Sequence, residues 1–163
     1  MHIEAARDKE QIAIIAALAE EIWREHFTSI IGEAQVDYML ENFQSEHAIV
    51  EQVKEGFLYY LIENDNRYVG YFGVLPEGEQ LLLSKFYIRA AERGKGLGRE
   101  ALVFIENLAN ENTASRITLT VNKYNHQAIE TYKTLGFKIT ESMVLEIGNG
   151  FVMDDYRMEK TLS

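Results

Sequence analysis

Cysteine is absent from these 163 residues, which removes a disulfide scaffold, a thiolate metal site and a cysteine nucleophile together. Histidine is scarce, and His2, His26, His47 and His126 show no ligand spacing. The sequence therefore predicts no metal. No apolar run approaches the roughly 18 residues of a membrane span, and the amino-terminal "MHIEAARDKE" is charged almost from its start, unlike the apolar core of a signal peptide. The expectation is a cytoplasmic protein with no membrane partner. Positive charge is the minority: 16 Lys and Arg stand against 26 Asp and Glu, for a net charge of -10 and a pI near 4.9. Binding a phosphate backbone needs clustered cations that release counterions, so no nucleic acid partner is expected. The acidic balance would suit a cationic acceptor such as an amine, and it also serves plain solubility.

What the chain does have is core material. It is 47% hydrophobic and 11% aromatic, enough for one compact domain over residues 1–163. Ile12, Ile15, Ala19, Ile22, Trp23 and His26 recur at helical spacing and predict an amphipathic helix over 11–27. Val36, Met39, Leu40 and Phe43 mark a second helix, and Ser45 can cap a third that ends near Gly56. The texture then changes. "FLYYLIE" and "YVGYFGVL" read as strands joined by "NDNR", which is turn chemistry, and "QLLLSKFYI" follows after "PEGE". A helix over 97–112, with Ala101, Leu102, Ile105, Leu108 and Ala109 inward, separates that strand from "RITLTV", so a crossover with parallel pairing is expected. A helix over 126–135 closed by Gly136, and a hairpin of "MVLEI" and "FVMDDYRMEK" around "GNG", complete the pattern.

The exception to the acidic character is "ERGKGLGRE", residues 92–100. From Arg89 to Arg99, the four cations Arg89, Arg93, Lys95 and Arg99 outnumber the single anion Glu92, just ahead of a predicted helix. Cations are unfavourable at a helix N-terminus unless an anion arrives. A strand, a glycine turn and a helix start aim free backbone N–H groups at one spot, which is where a phosphate binds. Two familiar nucleotide loops do not fit. Gly96 follows Lys95 where a triphosphatase loop needs Ser or Thr, and Gly94, Gly96 and Gly98 lack the dinucleotide spacing.

From Arg93 the pattern reads Arg-x-x-Gly-x-Gly, preceded by "LSKFYI" and followed by "LTVNKYNHQAIETYKTLGFK". This resembles the GNAT superfamily of N-acetyltransferases. The second half matches too, with Asn122, Asn125, Ala128, Tyr132 and "LGF" at the family's spacing. The resemblance covers the chain from about Phe57 onward. It implies an α/β fold with a mixed, mostly antiparallel central sheet and helices on both faces. It implies acetyl-CoA as acetyl donor, its pyrophosphate held by the backbone of Arg93, Gly94, Lys95, Gly96, Leu97, Gly98 and Arg99. The pantetheine arm is implied to pair with main-chain groups near Phe86 and Ile88, with Asn122 and Asn125 as further contacts. At its position Asn125 also reads as an ordinary helix N-cap.

Tyr132, three residues from Ile129 and four from Ala128, belongs on the sheet-facing side of its helix, where a core tyrosine is one reading. The resemblance makes it the general acid beside the CoA sulfur. No motif fixes the base. "LLLSKFYI" offers only Ser84 and Lys85 where the family often places an acid, and Glu79, Glu146, Asp154 and Asp155 read first as solvated surface acids. Trp23, His26, Phe27 and Tyr38 supply aromatic walls where the family builds its acceptor pocket, although Trp23 and Phe27 read equally as core. The implied function is transfer of an acetyl group to a primary amine by direct attack in a ternary complex, with a small amine preferred over a protein or peptide amine. Without cysteine an acyl-cysteine route is closed. A non-catalytic acyl-CoA-binding sensor is the rival, against which the retained Tyr132 argues. An acetyltransferase acting on charged tRNA would need a basic face that the composition lacks. Homodimerisation is a family habit, with no interface legible in the sequence.

Overall fold

The computed structural model describes residues 1–163. Along the chain run β1 (His2–Ala5), α1 (Lys9–Ile31), α2 (Glu33–Phe43), α3 (Glu46–Lys54), β2 (Leu58–Asn64), β3 (Arg67–Glu77) and β4 (Gln80–Ile88). A short 3-10 turn, Ala90–Glu92, leads to α4 (Leu97–Glu111), β5 (Arg116–Asn122), α5 (His126–Thr134), β6 (Lys138–Gly148) and β7 (Phe151–Thr161). The seven strands are ordered β1-β2-β3-β4-β5-β7-β6. β4 and β5 are parallel across the α4 crossover, while the β1/β2, β2/β3, β5/β7 and β6/β7 pairs are antiparallel. This is the mixed, mostly antiparallel sheet the sequence predicted. No helix is long and apolar enough to cross a membrane.

By their internal contacts the residues form two compact units, 1–75 with 85–104 and 76–84 with 105–163. In the first, α1 begins at a capping box. Asp8 accepts from the Gln11 backbone N–H at 2.8 Å, and the Gln11 side chain accepts from the Asp8 N–H in return. The helix buries Ile12, Ile15, Leu18, Ala19, Ile22, Trp23 and Phe27 on one face. It runs four residues past the predicted end, to Ile31, and is capped by Gly32 at φ +86°. Ser45 caps α3 as expected, its hydroxyl accepting from Ala48 N–H at 3.2 Å. The β2/β3 turn places Asp65 and Asn66 at φ +53° and +62°, the two positive values that a tight two-residue hairpin requires. Beneath this hairpin a buried Gln44 accepts from Tyr71 Oη at 2.5 Å and donates to Tyr59 Oη at 3.1 Å. Burial pushes the Tyr59 phenol up to about 12.

Gly70 on β3 meets the end of β4 without room for a side chain. A Cβ there would lie 2.3 Å from the Tyr87 carbonyl oxygen and 3.1 Å from Ile88 Cα. Both neighbours are backbone and cannot swing aside, so Gly70→Ala is expected to destabilise the protein by about 3 kcal/mol. A urea midpoint shift at unchanged slope checks this.

In the second unit β5 turns Ile117, Leu119 and Val121 inward. Its partner β7 registers Asn122 opposite Asp155 and Ile117 opposite Lys160. α5 is capped by Asn125 and closed beyond Leu135 by Gly136 at φ +100°. β6 begins five residues before the predicted "MVLEI", and Leu108, expected on the buried stripe of α4, is half-buried. β1 was not anticipated at all; its alternation of polar and apolar residues, His2, Ile3, Glu4 and Ala5, lasts only four residues.

Candidate active site

In the first unit β4 delivers the chain to a loop whose geometry is set residue by residue. Arg89 N–H bonds back to the Val69 carbonyl at 2.8 Å, and its side chain pairs with Glu21 on α1 at 2.7 Å. Arg93 folds back, its Nε donating to the Ile88 carbonyl at 3.0 Å. Gly94 and Gly96 then take φ +80° and +82°, which glycine adopts without strain. A Cβ at either would meet nothing within 4 Å, so the loop faces open space. Leu97 is buried and anchors the start of α4. The first bond back along the helix runs from Glu100 N–H to the Gly96 carbonyl at 3.1 Å. The amides of Leu97, Gly98 and Arg99 are thus the helix's orphan donors, at the positive end of its dipole.

Glu92 is the exception within this basic segment. It is 5% exposed, and its two oxygens accept from Arg67 Nη2 at 3.0 Å and Lys95 Nζ at 2.9 Å. The Lys95 hydrogen bond, with Arg67 and Arg89 adding their charge, holds its carboxyl below the ordinary glutamate value of 4.5. Backbone donors at a helix start, room above two glycines and cations at the rim together fit a pyrophosphate.

The parallel ladder between β4 and β5 covers Gln80, Leu81 and Leu82 against Arg116, Ile117 and Thr118. Phe86 and Ile88, expected to meet a pantetheine arm, lie on β4 beyond it and are half-buried. Phe86 packs edge-on against Phe72 at 6.3 Å. Tyr87 between them joins an aromatic cluster with Trp23 at 5.6 Å, Phe27 at 6.0 Å and Tyr71 at 5.7 Å. His26 stands edge-on to Phe27 at 4.9 Å. The expected acceptor walls Trp23, His26 and Phe27 are therefore brought together, with Trp23 and Phe27 buried as core. Tyr38 packs edge-on against Phe43 of its own helix at 6.4 Å. Sequence reasoning did not single out Tyr87 within "LSKFYI" or Arg67 within "NDNR", since no residue spacing ties either to its partners.

The second unit holds the remaining candidates. Asn122 accepts from Tyr124 N–H at 2.9 Å through its side-chain oxygen, and Asn125 accepts from Ala128 N–H at 3.4 Å as the N-cap of α5. Both side-chain carbonyls are thus engaged in shaping the turn into α5. Tyr132 on that helix packs edge-on against Phe137 at 5.5 Å. Burial pushes its phenol well above the ordinary tyrosine value, so it stays a neutral donor through the physiological range. Among the four acids considered as bases, Glu79 is exposed and within 3.8 Å of Arg116, and Glu146 is exposed. Asp154 pairs with Lys123 at 2.6 Å. Asp155 departs from the expected solvated acid: it is 5% exposed, on the strand position facing Asn122.

The acetyltransferase (GNAT) family model matches residues 15–137. No curated protein matches the sequence. Among solved structures, PaiA N-acetyltransferase from Thermoplasma acidophilum, in complex with coenzyme A, is 20% identical with a TM-score of 0.80, over 99% of this chain and 100% of that one. A GCN5-related N-acetyltransferase from Rhodopseudomonas palustris is 17% identical with a TM-score of 0.82, over 99% and 95%. A GNAT family acetyltransferase from Elizabethkingia anophelis with acetyl-CoA bound is 16% identical with a TM-score of 0.58, over 70% and 82%. At these identities the structures speak for the fold, while the family match spans most of the chain and includes the glycine loop. The chain belongs to the acetyltransferase (GNAT) family.

Proposed function

We propose that this protein transfers the acetyl group of acetyl-CoA to a primary amine by direct attack, with a small amine as acceptor. The observation that carries the reading is the loop from Arg93 to Arg99, where two positive-φ glycines open onto the unbonded amides at the start of α4. Family membership and the ligands of the Thermoplasma and Elizabethkingia structures support acetyl-CoA as the molecule whose pyrophosphate this loop receives. The pantetheine arm then adds to β4 beside Phe86 and Ile88 as an extra strand would. Tyr132 is the donor to the departing sulfur. Asn122 and Asn125 shape the approach to its helix.

A lysine-like amine at pH 7 must give up roughly 4.6 kcal/mol to be neutral, so the acceptor side needs a base or desolvation. Asp155 is the buried carboxylate among the candidates and is the strongest of them for that role. We further take residues 1–163 as one folding domain, because the chain passes between its two units within β3, β4 and α4 rather than through linkers.

Free-thiol release from acetyl-CoA across a panel of polyamines, amino acids, peptides with free N-termini and lysine-containing proteins tests the reading. Release with a subset of small amines is the expected result. Binding of acetyl-CoA with no release on any amine would replace the enzyme with a sensor.

A further inference from the structure

The mouth of the phosphate loop carries a buried anion that acetyl-CoA binding does not call for, because a carboxylate beside a pyrophosphate repels it. Both oxygens of Glu92 are taken, one by Arg67 at 3.0 Å and one by Lys95 at 2.9 Å, and its side chain is 6% exposed. The two cations are placed oppositely, with 62% and 51% of their side chains exposed. Lys95 lies between Gly94 and Gly96. Arg67 comes from 25 residues before Glu92, at the start of β3 directly after the Asp65–Asn66 turn. One buried carboxylate thus holds two long, exposed side chains by their tips, and the three groups still sum to one positive charge. Fixing a lysine or arginine side chain costs rotamer entropy. Here that ordering is in place before an anion arrives. A guanidinium has five N–H donors and an ammonium three, so each cation held by Glu92 keeps donors for a second acceptor.

We infer that Glu92 is a positioning residue: it fixes Arg67 and Lys95 at the mouth of the 93–99 loop so that both cations receive the phosphates of acetyl-CoA. The inference rests on the reading of that loop as the acetyl-CoA site. It adds Arg67, which no sequence spacing links to the loop, and it gives the buried acid a purpose.

Calorimetric titration of acetyl-CoA at several salt concentrations, on wild type, Glu92→Gln, Arg67→Gln and the double variant, tests it. Either single change is expected to weaken binding about tenfold and to make the salt dependence shallower. The double variant is expected to lose less than the sum of the two single losses, because Glu92→Gln already frees Arg67. Tighter binding with a steeper salt dependence in Glu92→Gln would overturn the inference, since Glu92 would then only repel the cofactor. Losses that add, or a loss with an unchanged salt slope, would overturn it too. Arg67→Gln alters an exposed side chain outside any core, so an unaltered affinity there decides against the inference even if Glu92→Gln folds poorly. Wild type that fails to bind acetyl-CoA overturns the loop reading and this inference with it. Wild-type binding with unaffected variants overturns this inference alone.

Discussion

Replacing Gly96 with aspartate is expected to weaken acetyl-CoA binding by about a hundredfold or more, measured by calorimetry at fixed salt. Two effects act together. The residue sits at φ +82°, where a side chain costs on the order of 1 kcal/mol against glycine. The new carboxylate also points into the space above the loop, where a charge about 4 Å from a phosphate costs roughly 4 kcal/mol at an effective dielectric of 20. Gly96→Ala separates the two. A methyl group there meets no atom within 4 Å, so only the backbone term applies and a loss of about fivefold is expected. Both variants should keep the wild-type melting temperature within a few degrees, since Gly96 is exposed and no buried contact is touched. An aspartate variant that binds as wild type does would place the phosphates elsewhere and remove the main support for the proposed reaction.

Much of this was readable from residue order because each signal was local. Helical spacing from Ile12 to Trp23, the Ser45 cap, the positive-φ turn around Asp65 and Asn66, and the glycine loop all act within a few residues. The parallel β4/β5 pair was legible for a related reason, as a helix between two strands leaves few other connections. What stayed hidden depends on partners distant in the chain. Gly70 reads as a strand residue of no consequence until the Tyr87 carbonyl is seen against it. Arg67 looks like a hairpin charge until Glu92 is found holding it. Asp155 sits beside Asp154 in a run that suggests solvent, yet strand alternation turns only one of the two inward.

Tyr132→Phe is expected to lower kcat by about a hundredfold while leaving the Kd for acetyl-CoA within about twofold. The ring survives the change and keeps its edge-on contact with Phe137, so the helix and its packing should persist and only the hydroxyl is lost. A thiol has a pKa near 8.5 and an ordinary tyrosine about 10, so full proton transfer from phenol to thiolate is already uphill. Burial raises the Tyr132 phenol further, which makes it a poorer acid and a more durable donor. In the proposed reaction its work is then to hydrogen-bond the sulfur as charge develops, and the proton can be taken up later from solvent. The sign of the pH effect follows. A raised pKa keeps the hydroxyl protonated on the alkaline side, so wild-type kcat should show no loss attributable to Tyr132 between pH 7 and about pH 10. The phenylalanine variant should run parallel and lower across that range. A wild-type profile that falls near pH 10 and loses that step in the variant would make Tyr132 an ordinary, solvated acid. Equal losses in affinity and turnover would make it a residue that holds the cofactor, and the departing thiolate would then need another donor.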